Sequence, residues 1–177
     1  VDVTIDVDTA NRFITVSDDG KTVSSGSSDP LPDSPTRFKS LPFALGKPGF
    51  TSGRHYWEVE VSKKTEWILG LAKESVDKKS TLTLSPENGC WTLSLDSVYG
   101  IEAVYDPVVR LYVKYLPQKI GIYLDYEGKS VSFYDAKRKA HLHTFNDTFT
   151  EALYPFFSPG NIYENLNLII TPLSDIQ

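Results

Sequence analysis

Two short runs of strict alternation between residues 56 and 71 constrain the fold of this chain most. In the first run Trp57, Val59 and Val61 would point to one side of a β-strand, and the polar side chains between them to the other. In the second run the apolar set begins at Trp67 and continues at every second residue to Leu71. Two tryptophans that face one core anchor a sheet strongly. The segment therefore predicts two strands around a turn, each with one buried face.

The same period of two recurs along the chain. The predicted strands are Phe13–Val16, Tyr56–Val61, Trp67–Leu71, Trp91–Leu95, Lys119–Leu124, Ser130–Tyr134 and Leu166–Ile170. A hairpin turn is predicted at Tyr126–Lys129, and proline-rich joins at Asp29–Pro35, Leu41–Pro48 and Pro155–Gly160 interrupt any helix. One helical turn is expected at most, at Lys73–Lys79. The pattern indicates an all-β chain with little or no helix, folded as a two-sheet antiparallel β-sandwich.

The length of 177 residues suits a single domain, 1–177. A softer boundary near Gly46–Gly53 separates an irregular, proline-rich part, 1–50, from a regular part, 51–177. The first part is too short to hold a core of its own, so we expect both parts to share one fold. The cluster Ser24–Ser28 is predicted to be an exposed loop. Because the chain contains no methionine, we expect it to be a fragment of a longer protein.

Charge and cysteine content narrow the function. The formal net charge of −5 disfavours nucleic acid as the main partner, since phosphate binding needs a basic surface. The single cysteine, Cys90, excludes an intrachain disulfide framework and is typical of a reducing compartment, so a cytoplasmic location is expected. No apolar run approaches the ~20 residues that span a bilayer. We therefore expect no membrane contact by this domain.

Eight blocks of sequence, spread in order over the whole chain, form a recognisable pattern. The blocks are Val7–Asn11, Pro32–Phe38, Gly53–Val61, Glu66–Gly70, Pro86–Thr92, Gly121–Glu127, Val131–Asp135 and Leu153–Gly160. Together they resemble the PRY-SPRY domain of the tripartite-motif (TRIM) and butyrophilin type, with the PRY segment in 1–50 and the SPRY segment in 51–177. The last block is most similar to the tripartite-motif members.

The resemblance implies a bent, jelly-roll-like β-sandwich that binds a protein target through loops and is itself non-catalytic. It implies that the chain is the target-recognition domain of a tripartite-motif-type ubiquitin ligase in innate immunity, and that the ligase activity lies in another part of the parent protein. The isolated domain would be a monomer without cofactors, and the parent a coiled-coil dimer. An alternative is the intracellular ligand-sensing domain of a butyrophilin-like receptor. A remote alternative is a carbohydrate-binding or carbohydrate-active sandwich.

The resemblance also places the partner-binding surface. It implies that this surface is formed by the strand that holds Ile68, the segment after Trp91, and the loop after Ser158-Pro159-Gly160. Aromatic and apolar residues in predicted loops are further candidates, because exposed aromatics make binding hot spots. These are Phe50, Tyr99, Tyr105, Ile162 and Tyr163. The predicted site consists of Ile68, Ser94, Asp96, Tyr99, Asn161, Ile162, Tyr163 and Glu164.

The sequence departs from two specialised groups within the family. Where antibody-binding members have two tryptophans and a later aromatic residue, this chain has Ser94, Asp96 and Asn161, so antibody binding is not expected. Where phosphate-binding butyrophilins have clustered cations, it has Glu102, Val108 and Ser158. A phosphate pocket needs such cations, so that activity is not expected either.

Other reactive residues favour structural roles. Glu58 and Glu60 leave one face of a strand and have the spacing of a carboxylate pair, but no neighbour is predicted to desolvate either of them, so a solvated sheet face is the preferred explanation. His55, His141 and His143 form no set with metal-ligand spacing. Cys90 should lie on the face opposite Trp91 and act as a packing residue. We therefore predict no catalytic residue and no metal site.

Overall fold

The computed structural model describes residues 1–27, 29–160 and 166–173 of the 177-residue chain. Within these ranges it contains two seven-stranded sheets and one turn of 3-10 helix, Pro86–Asn88. The strands are β1 (Thr4–Ile5), β2 (Ile14–Val16), β3 (Thr22–Ser25), β4 (Ala44–Lys47), β5 (Arg54–Glu60), β6 (Trp67–Lys73), β7 (Cys90–Asp96), β8 (Gly100–Ala103), β9 (Val109–Arg110), β10 (Lys119–Asp125), β11 (Ser130–Asp135), β12 (Ala140–Asn146), β13 (Leu153–Ser158) and β14 (Leu168–Ile170).

The strands pair in an antiparallel sense throughout. The first sheet has the order β1-β4-β13-β6-β7-β8-β9, and the second has the order β12-β11-β10-β5-β14-β3-β2. The predicted all-β, two-sheet architecture is therefore confirmed. Each of the seven strands predicted from alternation is present, with ends within two residues of the prediction.

The core lies between the two sheets. Trp57 and Val59 from the second sheet meet Trp67, Leu69 and Leu71 from the first, and each of these side chains is at most 1% exposed. They are the residues that the alternation assigned to a buried face. Because every second residue points inward, the other half of each strand is left for the outer faces of the sandwich.

A second, smaller cluster covers part of the outer face of the first sheet. Phe38 and Phe43, from the join between β3 and β4, pack edge-on against each other at 5.7 Å between ring centroids. Phe43 also packs on Phe156 of β13 at 4.9 Å. Cys90 of β7 belongs to this cluster, as predicted for a residue opposite Trp91. Ile68 of β6, which points to the same face, is partly buried against this cluster.

The N-terminal 50 residues contribute strands to both sheets. The strands β1 and β4 belong to the first sheet, and β2 and β3 belong to the second. The join between β3 and β4 is held by Arg37, which is 7% exposed. Its guanidinium donates hydrogen bonds to the carbonyl oxygens of Pro32 (2.7 Å), Val7 (2.6 Å) and Ala10 (3.1 Å). The block Pro32–Phe38 is therefore explained by a buried arginine followed by a core phenylalanine.

Some local predictions are wrong. The joins Leu41–Pro48 and Pro155–Gly160 contain the strands β4 and β13. Proline is tolerated in β13 because Pro155 pairs with β6, whereas pairing with β4 begins only at Phe156. Part of Ser24–Ser28 belongs to β3, and Lys73–Lys79 forms a turn after β6 and not a helical turn.

Candidate functional site

Five residues form a row across the outer face of the first sheet, next to the second cluster. In cross-strand register they are Ser158, Ile68, Ser94, Glu102 and Arg110, from the strands β13, β6, β7, β8 and β9. We call them the outer row. Neighbouring strands lie ~4.8 Å apart, so the row crosses ~19 Å of surface. The residues on either side of Ile68, Ser94 and Glu102 in their own strands are buried in the main core, so these three must point outward.

The hairpin between β7 and β8 stands at one end of this face. The Asp96 carboxylate accepts hydrogen bonds from the backbone N–H groups of Val98 (2.8 Å) and Tyr99 (2.9 Å), which fixes the turn. The side chains of Val98 and Tyr99 are 77% and 56% exposed. The Arg110 guanidinium lies over the Tyr99 ring, 4.7 Å from its centroid. The hairpin thus presents two apolar side chains in a defined conformation.

Exposed apolar side chains continue beyond the hairpin. Among the residues that the structure describes, eleven large hydrophobic side chains are exposed, and seven of them fall between residues 98 and 116. They are Val98, Tyr99, Val108, Val109, Tyr112, Tyr115 and Leu116. Leu111 and Val113 of the same segment pack on the core, so the chain is anchored while Tyr112 faces solvent. A concentration of exposed aromatic and aliphatic groups marks an interaction surface.

Glu102 dominates the electrostatics of the outer row. Burial and the negative charge of Asp96 raise the pKa of its carboxyl group, and the positive charge of Arg110 opposes this. Asp96 is its diagonal neighbour across the β7–β8 pair, at ~7 Å between Cα atoms. The centre of the face is therefore acidic.

The structure brings half of the predicted site residues together. Ile68 and Ser94 are direct cross-strand neighbours, and Asp96 and Tyr99 belong to the adjoining hairpin. The other four, Asn161, Ile162, Tyr163 and Glu164, lie outside the described residues. The sequence prediction did not include Glu102, Arg110 or the segment 108–116 in the site. The sequence did indicate the segment 108–116 as a candidate. It contains more apolar residues than are needed to fill the one buried face of so short a strand.

Two aromatic residues predicted for exposed loops have other roles. Phe50 is 4% exposed and stacks on His55 at 4.1 Å and on Trp57 at 5.8 Å. Tyr105 is partly buried, and its hydroxyl lies 2.7 Å from Nε2 of His143. Neither side chain is available to a partner, since the bridge between Phe50 and Leu153 and the packing on β12 bury them.

The glutamates and histidines form structural contacts. Glu58 accepts a hydrogen bond from the Tyr56 hydroxyl at 2.6 Å and lies 3.8 Å from Nζ of Lys119. Burial and the Glu58 contact raise the pKa of Tyr56. Burial lowers the pKa of His143. In the described ranges, no three His, Cys, Asp or Glu side chains are grouped so that they could hold a metal ion.

Cys90 gives a direct test of the core. Its side chain is fully buried, and burial raises the pKa of its thiol to about 12. At pH 8 only about 10⁻⁴ of such thiols is ionised, and the thiolate is the reactive form. We expect the native protein to show no reaction with a thiol reagent such as Ellman's reagent on a timescale of minutes, and one thiol per chain in denaturant. Rapid reaction of the native protein would show that the second cluster is open.

The family follows from two further matches. The SPRY domain family matches residues 54–171, and the SPRY-associated domain, PRY, matches residues 3–50. Both segments contribute strands to the same two-sheet sandwich. The chain belongs to the PRY-SPRY family, as the eight blocks of sequence indicated.

Several curated proteins are similar over most of this chain. Pyrin of Homo sapiens is 44% identical over 162 residues, which cover 90% of this chain and 21% of pyrin. Erythroid membrane-associated protein of Homo sapiens is 43% identical over 160 residues, which cover 90% of this chain and 34% of that protein. E3 ubiquitin-protein ligase TRIM69 of Rattus norvegicus is 41% identical over 158 residues, which cover 89% of this chain and 32% of that protein. The chain thus spans a fifth to a third of the length of these relatives.

A solved structure agrees with the fold. The TRIM65 PSpry domain superimposes with a TM-score of 0.80 at 23% sequence identity, covering 97% of this chain and 90% of that one. Separately, among the described residues no helix has the length and apolar character needed to cross a membrane.

Proposed function

We propose that this chain is a non-catalytic protein-interaction domain and that it recognises the target of a tripartite-motif-type ubiquitin ligase in innate immunity. It would act in the cytoplasm, as a single unit over residues 1–177 and as a monomer when isolated. The proposed surface consists of the outer row, the hairpin Asp96–Gly100 and the segment 108–116. Asn161, Ile162, Tyr163 and Glu164 are retained as predicted contacts.

One observation carries this proposal. Seven of the eleven exposed large hydrophobic side chains in the described ranges lie in one stretch of 19 residues, which includes the hairpin and β9 next to the outer row. Apolar anchors beside a polar rim are the composition of a protein interface. The similarity to TRIM69, whose name describes a ubiquitin-protein ligase, supports the ligase context. The net charge of −5 argues against a nucleic-acid surface.

The test compares two exposed aromatic side chains, each beneath an arginine. Tyr99 is 56% exposed under Arg110, and Phe13 is 51% exposed under Arg12 on the other sheet. We expect Tyr99→Ala to lower the recovery of captured proteins from immune-cell extract about tenfold or more, since an interface aromatic contributes 2 kcal/mol or more. The recovery is measured by quantitative mass spectrometry with the immobilised domain.

Phe13→Ala is the matched control and should leave the recovery unchanged. If the two variants capture the same proteins at the same level as the unchanged domain, the binding surface is elsewhere. A domain that enriches no protein over a blank resin would contradict the recognition function itself.

The similarity to erythroid membrane-associated protein supports a second candidate. In that case the domain would be the intracellular, ligand-sensing part of a butyrophilin-like receptor. The residues that precede Val1 in the full-length protein distinguish the two candidates. A RING and a coiled coil there would support the ligase, whereas a membrane-spanning segment would support the receptor.

A further inference from the structure

Glu102, in the middle of the outer row, is a buried acid whose bonding is incomplete. Its side chain is on the outward face, and the residue is only 8% exposed. No hydrogen bond or ion pair reaches its carboxylate from residues 1–27, 29–160 or 166–173. The cross-strand neighbour Arg110 holds its guanidinium over the Tyr99 ring instead. Among the described residues, the enclosed polar side-chain atoms without a hydrogen bond are Nε1 of Trp57, Nε1 of Trp67 and Oγ1 of Thr92. The Glu102 oxygens are not in this set, so they keep contact with solvent and can accept a hydrogen bond from outside.

The groups around Glu102 leave its negative charge without a paired positive group among the described residues. Asp96 lies diagonally across the β7–β8 pair, and its carboxylate is used by the backbone of the hairpin. Burial and the charge of Asp96 raise the pKa of Glu102, and the charge of Arg110 opposes them. On one side of this acidic centre lies the partly buried Ile68, and on the other the exposed Tyr99 ring.

We propose that the protein recognised by this surface inserts a basic side chain, arginine or lysine, which pairs with Glu102 while a neighbouring apolar residue of the partner packs on Ile68 and Tyr99. This inference rests on the proposed function and specifies the partner's chemistry. Charge complementarity selects the occupant, because a cation supplies the missing donors and an acid would be repelled by Glu102 and Asp96. Arginine fits best, since its planar group donates two hydrogen bonds to one carboxylate and its stem is apolar.

Selection of random peptides displayed on phage tests the proposal without a known partner. The library is selected in parallel on the unchanged domain, on Glu102→Gln and on Glu87→Gln. Glu87 is an exposed carboxylate on the short 3-10 turn before β7, at the other end of the same strand from the hairpin. We expect a basic residue beside an apolar one to dominate the peptides selected by the unchanged domain and by Glu87→Gln. The basic preference should be lost on Glu102→Gln.

A double-mutant cycle then measures the pairing. Replacing the selected basic residue of a peptide by norleucine should weaken its binding about tenfold or more on the unchanged domain, and less than twofold on Glu102→Gln. Equal weakening on both proteins would overturn the proposal. The melting temperature of free Glu102→Gln should equal or exceed that of the unchanged domain, because the substitution removes a negative charge that Asp96 repels and that no described residue hydrogen-bonds. A fall of several degrees would show a structural partner and would also overturn the proposal.

The outcomes separate this inference from the proposed function. Peptides that lose binding with Tyr99→Ala but show no basic preference would leave the recognition surface in place and overturn the role of Glu102. Peptides that are indifferent to both substitutions, or no enrichment on any of the proteins, would count against both.

Discussion

Gly70→Ala is expected to destabilise this domain by at least about 3 kcal/mol, which lowers the melting temperature of a chain of this size by about 10 °C. Gly70 is buried in β6 and pairs with Thr92 of β7 and Phe156 of β13. A Cβ atom at this position would lie 2.1 Å from the carbonyl oxygen of Trp91 and 2.8 Å from Cα of Thr92. Backbone in the middle of a sheet cannot move aside as a surface side chain can. Thermal unfolding followed by circular dichroism measures the effect.

Gly100→Ala, in the same sheet, is the control for Gly70→Ala. An added Cβ at Gly100 has no neighbour within 4 Å, but the residue has a φ of 81°, which L-residues disfavour. We expect a cost of about 1–2 kcal/mol from the backbone conformation alone. A melting temperature for Gly70→Ala that is equal to or higher than that of Gly100→Ala would contradict the close packing of β6 on β7.

Arg37→Met is expected to destabilise the domain by about 3 kcal/mol or more. The methionine preserves much of the apolar stem, but the carbonyl oxygens of Val7, Ala10 and Pro32 lose their donor. The bond to Ala10 is buried and those to Val7 and Pro32 are partly buried, and a hydrogen bond to a charged group contributes about 1.5–3 kcal/mol. Because the guanidinium joins two parts of the N-terminal segment that are far apart in sequence, its loss should also loosen the cover over the second cluster. Urea unfolding followed by tryptophan fluorescence measures the free energy.

Arg54→Met provides the comparison for Arg37→Met. The Arg54 side chain is 75% exposed, and its Nε lies 3.7 Å from the Asp125 carboxylate. Exposed ion pairs contribute little, so a change below about 0.5 kcal/mol is expected. Similar losses for both variants would show that the interior bonds of Arg37 add no stability beyond that of a surface arginine.

The sequence predicted the regular part of the fold well and the irregular part poorly, for a physical reason. A strand such as β5 buries one face only, so its side chains alternate and the period of two is visible. The strand β4 is buried on both faces over Ala44–Gly46, and in β13 five of six residues are buried. Such strands have no alternation to detect. Proline beside them further suggested a join.

The candidate site was predicted in part. Ile68, Ser94 and Asp96 came from the resemblance to the family, and Tyr99 from its place as an aromatic residue in a predicted loop. The strand register places these four residues on one face or in its adjoining hairpin. Glu102 was overlooked because a single acid in an alternating strand looks like any solvated residue. Its burial, and the absence of a donor to it among the described residues, depend on the arrangement of β7, β8 and β9, which no local pattern contains.

The strict alternation of β6, β7 and β8 has an evolutionary consequence. Leu69, Leu93 and Ile101 maintain the core, while their immediate neighbours Ile68, Ser94 and Glu102 face the opposite way. On the proposed function, adjacent codons would be under separate selection, one set for folding and the other for recognition. A lineage whose target changes could then substitute every second residue of these strands and keep the same core.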